Sequence, residues 1–278
     1  MNVAEGGVGS GFIEIAGLTF RYPGADVLAI SGVDLMVQKG EFSCIVGPSG
    51  CGKSTLLTIL SGLAAPEAGT VTIEGNAIYK DGRRTAEELP RCGYMFQDAR
   101  LLPWRTVRDN LTIALKAAEV PQERRGDTVA DVLRMLRIEA FADSWPLNLS
   151  GGQRHRVAIA RALAIEPAFI LMDEPFSTLD EVTGRFLRTE LLEVWQRTGT
   201  TIVFVTHSIR EAVFLGDTIS LMTKGPGMVF DVLRIDADRP RAYEDPSLAK
   251  IEGTIMRTVL EAWGYYEQPT ARPGDSTG

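Results

Sequence analysis

Gly47-Pro48-Ser49-Gly50-Cys51-Gly52-Lys53-Ser54-Thr55 follows the apolar run Phe42–Val46 and precedes Leu56-Leu57-Thr58-Ile59-Leu60. The order predicts a strand, a glycine-rich loop and a helix. Gly47, Gly52, Lys53 and Ser54 fit the spacing G-x-x-x-x-G-K-[ST]. Glycine tolerates positive φ, so successive backbone N–H groups can turn inward and form a nest for an anion. The helix that starts near Lys53 adds the positive end of its dipole. In such a loop the lysine reaches the β- and γ-phosphates of a nucleotide, and the hydroxyl at Ser54 binds Mg²⁺. The plainer alternative, an ordinary glycine-rich turn, does not account for the strand and helix on either side.

Composition narrows the classes. The 278 residues are 45% hydrophobic and 23% charged, the balance of a globular chain that buries a core. A net charge of -7 argues against a nucleic-acid scaffold, which needs a basic face. Three cysteines (Cys44, Cys51 and Cys92) form no paired framework, which points to a reducing compartment. No apolar run reaches the roughly eighteen residues of a membrane span, so a membrane role must pass through a partner. Residues 1–11 are glycine-rich, lack the layout of a signal peptide and are expected to be loose. The same is expected after Tyr266, where Pro, Gly and Thr dominate.

Phe12–Phe20 alternates and reads as a strand, Tyr22-Pro23-Gly24 as a turn, and Val27–Val37 as one or two more strands. Gly69–Ile73 and Ala77–Tyr79 flank Glu74-Gly75-Asn76, a hairpin signal. Strands this dense suggest an antiparallel layer beside the nucleotide. After Tyr94-Met95-Phe96-Gln97 the period changes to helical: Thr106–Ala118, Asp127–Leu136 and Gly151–Ala164 each carry one apolar face. Residues from about 98 to 164 are therefore a mostly helical insert. Alternation then resumes, with strands at Phe169–Met172, Thr201–Val205 and Thr218–Met222 and helices at Gly184–Arg197 and Ile209–Leu215. Short apolar strands between helices imply a mostly parallel sheet covered on both faces. Val229–Ile235 reads as an edge strand and Leu248–Trp263 as a final amphipathic helix.

Phe169-Ile170-Leu171-Met172-Asp173-Glu174 is an apolar strand ending in two carboxylates. Ligands of open α/β sheets bind at the carboxyl ends of strands, so Asp173 is placed to hold Mg²⁺. Glu174 points elsewhere and could orient or deprotonate a water. Leu149-Ser150-Gly151-Gly152-Gln153 opens a helix with Ser150 as N-cap and two glycines that admit a phosphate to the backbone. One chain thus holds two phosphate-binding helix starts and a single Lys-bearing loop. The simplest resolution is that the second start serves a nucleotide held by a second copy of the chain. His207 follows the strand Thr201–Val205 and can donate to a γ-phosphate oxygen. Gln97 ends an apolar strand and can sense Mg²⁺ or a water, whereas His155, between Arg154 and Arg156, reads as surface.

In this order the residues resemble the ATP-binding subunit of an ABC transporter, over roughly residues 12–240. Gly47–Thr55 is similar to that family's Walker A loop and Leu149–Gln153 to its signature. Phe169–Glu174 looks like the Walker B strand, Ser177-Thr178-Leu179-Asp180 the D-loop, Gln97 the Q-loop and His207 the switch histidine. Tyr22 matches the aromatic residue that stacks on adenine. The resemblance implies an α/β P-loop NTPase core of ABC type, with an antiparallel β subdomain, a helical subdomain at about 98–164 and a C-terminal segment at 241–278. It implies two ATP molecules sandwiched in a head-to-tail dimer. Each site would combine Pro48, Ser49, Gly50, Cys51 and the rest of one loop, with Asp173, Glu174, Gln97 and His207, against Ser150, Gly151, Gly152, Gln153 and Asp180 of the other copy. Glu174 would be the general base, His207 its positioner and γ-phosphate contact, and Ser54, Gln97 and Asp173 the Mg²⁺ ligands.

The resemblance further implies a permease docked on the helical insert at the cytoplasmic face of the membrane and, indirectly, a solute-binding protein. Leu101, Leu102 and Trp104 are the apolar candidates for that groove, although each could equally pack inside the insert. Phe96-Gln97-Asp98, Leu101-Leu102-Pro103-Trp104, Lys224-Gly225-Pro226-Gly227 and Arg239-Pro240-Arg241 are similar to segments of nitrate, sulfonate and taurine importers. The alternative is a soluble ABC ATPase of translation or DNA repair. A single cassette argues against the first, and the short span from Thr55 to Phe169 leaves no room for the coiled coil of the second.

Overall fold

In the computed structural model, which describes residues 11–265, the alternating run forms β1 (Ile13–Phe20). Of the loose ends expected at 1–11 and after Tyr266, all but Gly11 lie outside those residues, and Gly11 is buried. β1 pairs antiparallel with β2 (Ile30–Val37), and a register shift between Ile15 and Leu18 is where the sequence alternation slips by one. The expected Val27–Val37 gives one strand that begins only at Ile30, and Val27 lies before it, 75% exposed. The fully buried β3 (Phe42–Val46) leads into α1 (Lys53–Leu60). β4 (Ala68–Ile73) and β5 (Asn76–Lys80) make the expected hairpin, turning on Glu74 at φ 51° and Gly75 at φ 74°. Two left-handed residues in succession match the right-handed twist of the flanking strands. The short β6 (Arg83–Arg84), which carries no apolar signal, completes an antiparallel sheet ordered β2-β1-β4-β5-β6.

β7 (Cys92–Met95) is an edge strand of the second sheet, to which β3 also belongs. The insert follows as α2 (Val107–Ala117), α3 (Gln122–Met135) and α4 (Gly151–Ala164). α3 starts at Gln122, ahead of the expected Asp127, because Pro121 fixes the turn before it and Gly126 sits inside the helix instead of ending it. β8 (Phe169–Asp173) is followed by α5 (Glu181–Thr198), which starts before the expected Gly184 because the Asp180 side chain caps it, accepting from Thr183 N at 2.9 Å. β9 (Thr201–Thr206), α6 (Ile209–Leu215), β10 (Thr218–Met222), β11 (Val229–Arg234) and α7 (Pro246–Ala262) complete the chain.

The six-stranded sheet runs β11-β10-β3-β9-β8-β7, parallel except for β11, which pairs antiparallel at the edge. Alternate residues of each strand face opposite sides. Phe42, Cys44 and Val46 join the core beneath the helices, whereas Ile45 joins the core against α1 and the antiparallel sheet. Ile170/Met172 and Phe169/Leu171 divide in the same way, as do Ile202/Phe204 and Val203/Val205. Two cores on one sheet explain why these strands lack any polar alternation. β3, at the middle of the sheet, and β8 end at one edge with the phosphate loop and the two carboxylates.

Arg239 and Arg241, read from sequence as marks of kinship, are structural. Arg241 is buried and donates to Val213 O (2.9 Å), Phe214 O (3.3 Å) and Gly216 O (2.6 Å) at the end of α6, and to Ile235 O (3.3 Å). A helix end leaves carbonyls without partners, and one guanidinium fork serves them here. Burial lowers the Arg241 pKa to about 10. Arg239 donates to Leu215 O and Asp217, 2.7 Å each. Arg241→Met is expected to cost about 3 kcal/mol, since several buried acceptors lose a charged donor. A urea titration checks this; an unchanged midpoint would remove Arg241 from that role.

Candidate nucleotide site

The loop after β3 owes its path to glycine. Gly52 precedes α1 with φ 100°, and a Cβ there would lie 2.6 Å from Ala29 O. No other residue satisfies both limits. Lys53 is 4% exposed and folds back across the loop, donating to Gly47 O at 2.8 Å and Pro48 O at 3.1 Å. Its ammonium also lies 3.3 Å from Glu174 Oε1. Ser54 Oγ donates to Asp173 Oδ1 at 2.9 Å, joining the loop helix to the end of β8. The Tyr22 hydroxyl lies 2.9 Å from Thr55 Oγ1, and the ring meets Phe20 edge-on at 5.0 Å.

Glu174 sits one residue past β8 with φ 44°, a left-handed conformation uncommon outside glycine. Its N–H is held by Val205 O at 2.9 Å. Its carboxylate lies in the same cleft as Asp173, and His207 Nδ1 lies 2.8 Å from Oε2. Strain of this kind collects at sites where geometry matters more than comfort. Gln97 Nε2 donates to Ser177 Oγ at 3.2 Å, and Ser177 Oγ donates to Glu174 O at 2.9 Å. Burial pushes the Asp173 carboxyl up from its ordinary value, opposed by the Ser54 hydrogen bond. Tyr22, Ser49, Lys53, Gln97, Asp173 and Glu174 line one cleft of about 420 Å³.

Ser150, Gly151, Gly152 and Gln153 line a different cleft, about 440 Å³, with Asp180 and Phe186. Ser150 and Gln153 form a capping box: Ser150 Oγ accepts from Gln153 N at 3.3 Å, and Gln153 Oε1 accepts from Ser150 N at 2.8 Å. The two clefts share no lining residue. Within one chain the structure thus gathers the loop, Tyr22, Gln97, Asp173 and Glu174, with His207 joined through Glu174, and leaves Ser150–Gln153 in the other cleft. Asp180 lines that second cleft and also a smaller one that it shares with His207.

His155 departs from expectation. It is buried, with Nδ1 2.9 Å from Gly151 O one turn back, so α4 presents it inward and not to solvent. Asn110 was not singled out from sequence. It is buried, accepts from Leu102 N at 2.7 Å and donates to Leu102 O, Arg105 O and Thr106 O. A polar residue beside Leu111 on the apolar face of α2 was the available signal. It fixes the segment after Gln97 so that Leu101 packs on the core while Trp104 stays 67% exposed. Arg161, donating to Ala99 O and Arg100 O, holds the same segment from α4.

A phosphate loop on the central strand of a mostly parallel sheet, with paired carboxylates at the end of β8, defines a P-loop ATPase. Residues 30–177 match the ABC transporter family, and the chain belongs to it. It is 40% identical over 253 residues to the nitrate import ATP-binding protein NrtD of Synechococcus elongatus, spanning 88% of this chain and 90% of that protein. It is 42% identical over 240 residues to the aliphatic sulfonates import ATP-binding protein SsuB of Cupriavidus necator, spanning 86% and 75%. The dimeric structure of the ATP-binding cassette MJ0796 bound to ADP and Pi superposes with TM-score 0.69 and 33% identity, over 81% of this chain and 100% of that one. The chain is an ATPase of the transport-coupled kind. Among the described residues no helix is long and apolar enough to cross a membrane.

Proposed function

We propose that two copies of the chain close head to tail on two ATP molecules and thereby drive import of a small solute of nitrate, sulfonate or taurine type through a separate permease. Two disjoint half-sites in one chain, the loop cleft and the Ser150–Gln153 cleft, carry the reading. The ATP-binding unit is residues 12–240, with its helical part at about 98–164 and an appended segment at 241–278. Trp104 and Ile113, both exposed on the insert, face the permease from the cytoplasmic side. Kinship with the nitrate and sulfonate proteins favours nitrate, alkanesulfonates or taurine as cargo, delivered by a solute-binding protein. The soluble alternative in translation or repair has no support among these relatives.

Each step falls to named residues. Lys53 exchanges its carbonyl partners for β- and γ-phosphate oxygens. Tyr22 stacks on the adenine. Ser54, Asp173 and Gln97 fit Mg²⁺: they offer hard oxygen donors, and Asp173 is a half-buried carboxylate that a cation would keep ionised. When bound, Mg²⁺ would neutralise charge on the phosphates. Glu174 takes a proton from the attacking water, and His207 steadies Glu174 and contacts the γ-phosphate. The second copy supplies the N–H groups of Gly151 and Gly152 at its helix start, with Asp180 beside them.

Asp173→Asn removes a charge that burial disfavours. The thermal midpoint without ligand is expected to rise, while Mg²⁺-dependent hydrolysis falls by about 100-fold or more. Thermal scans and phosphate release read the two effects, and unchanged turnover would take Asp173 out of the metal site. The function is tested by reconstituting the chain with its neighbouring permease in vesicles and measuring ATP-dependent uptake of nitrate, alkanesulfonates and taurine. Uptake of any one that requires this chain supports the reading; a chain that never associates with a permease contradicts it.

A further inference from the structure

Arg188, on α5, is 5% exposed and belongs to neither cleft's phosphate-binding set. Its Nη1 donates to Glu211 Oε1 on α6 at 2.6 Å, and its Nη2 reaches Glu181 Oε1 at 3.4 Å. Glu211 is the hub on the other side. Its Oε2 accepts from Thr206 Oγ1 at 2.5 Å, and Thr206 Oγ1 accepts from Ser208 N at 3.0 Å. Ser208 Oγ in turn accepts from Glu211 N at 3.2 Å. These bonds bracket His207, flanking it on both sides in sequence. Glu181 directly follows Asp180. The guanidinium packs close over Gly184, where a Cβ would lie 3.3 Å from Nη1. The Tyr243 ring covers it, with Cζ 5.4 Å from the centroid.

We infer that Arg188 is a positioning residue: through Glu211 it holds the Thr206–Ser208 loop so that the His207 ring meets Glu174, and through Glu181 it ties that loop to the segment carrying Asp180. The inference rests on the proposed roles of His207, Glu174 and Asp180. A buried charged fork with two carboxylates from different elements fixes their relative position better than apolar packing would. In the dimer, Asp180 faces one nucleotide and His207 the other. Arg188 therefore links closure at one site to the arrangement of the base at its twin. Glu181, which is largely exposed, is the weaker arm.

The test compares Arg188→Met, Arg188→Lys and Glu181→Ala in the full-length chain. Arg188→Met is expected to lower kcat for ATP at least tenfold with KM within twofold, and Arg188→Lys to recover part of it. Glu181→Ala, which leaves the buried pair intact, is expected to keep kcat within threefold and lower the Hill coefficient for ATP towards one. A second readout does not depend on turnover. The chain has two histidines, so ¹⁵N-histidine spectra resolve His207 from His155. Arg188→Met is expected to shift the His207 imidazole signals and leave those of His155 in place. Unmoved His207 signals, or kcat and KM lost together in step with the folded fraction, would overturn the inference. Normal turnover in Glu174→Gln would instead remove the proposed site itself, so the two failures are distinguishable.

Discussion

Glu174→Gln is expected to bind ATP with the affinity of the parent chain and to hydrolyse it at least about 100-fold more slowly, a barrier increase of about 2.7 kcal/mol. The amide keeps the size of the carboxylate and still accepts from His207, which lies 2.8 Å away. It cannot accept a proton from water. It also no longer opposes the Lys53 ammonium at 3.3 Å, which leaves that group freer to hold phosphate. ATP therefore stays bound, and the dimer is expected to accumulate in its closed form. Size-exclusion chromatography with and without ATP, together with phosphate release, reads both effects. Normal turnover would take Glu174 out of the base role.

Ser150→Arg is expected to abolish ATP-driven dimerisation and reduce hydrolysis by a similar factor, although the residue touches nothing in its own chain's loop cleft. The substitution brings a long cationic side chain to the helix start that the partner's nucleotide must approach. Ser150 is also half of the capping box, so its loss costs about 1 kcal/mol of helix stability. Ser150→Ala separates the two effects, because it removes the cap without adding bulk. Turnover near the parent level in Ser150→Ala, with about 100-fold less in Ser150→Arg, is the expected pattern, measured by phosphate release beside an ATP titration of dimer mass. Retained activity with intact dimerisation in Ser150→Arg would mean that this segment does not reach a nucleotide.

The alternation of strands and helices is legible because the strands of the parallel sheet are buried on both faces and are mostly apolar, with Ser43, Thr201, Thr206 and Ser220 as buried exceptions. Phe42–Val46 needed no context. The helix starts were harder to place. Gly184 resembles a boundary in sequence, but Asp180 caps the helix earlier, and the glycine makes room for Arg188. The candidate site residues could be named because glycine, lysine and paired carboxylates stand at strand ends in a fixed order. Their supports could not. Asn110, Arg161, Arg188 and Glu211 act through partners 4 to 62 positions away in sequence, and hydrophobic periodicity records none of these pairings. His155 differs from its sequence expectation because flanking arginines suggest an exposed face, yet a helix turns about 100° per residue, and its ring is buried.

The most direct test of a site built from two copies is complementation between two inactive chains. Asp173→Asn damages the loop side of a site and Ser150→Arg the opposing side. In a mixed head-to-tail dimer one site carries both lesions and the other carries neither. Mixing the two proteins is expected to restore ATP hydrolysis well above the average of the separate rates. A mixture that stays at that average would show that each chain builds its site alone, and would contradict the account.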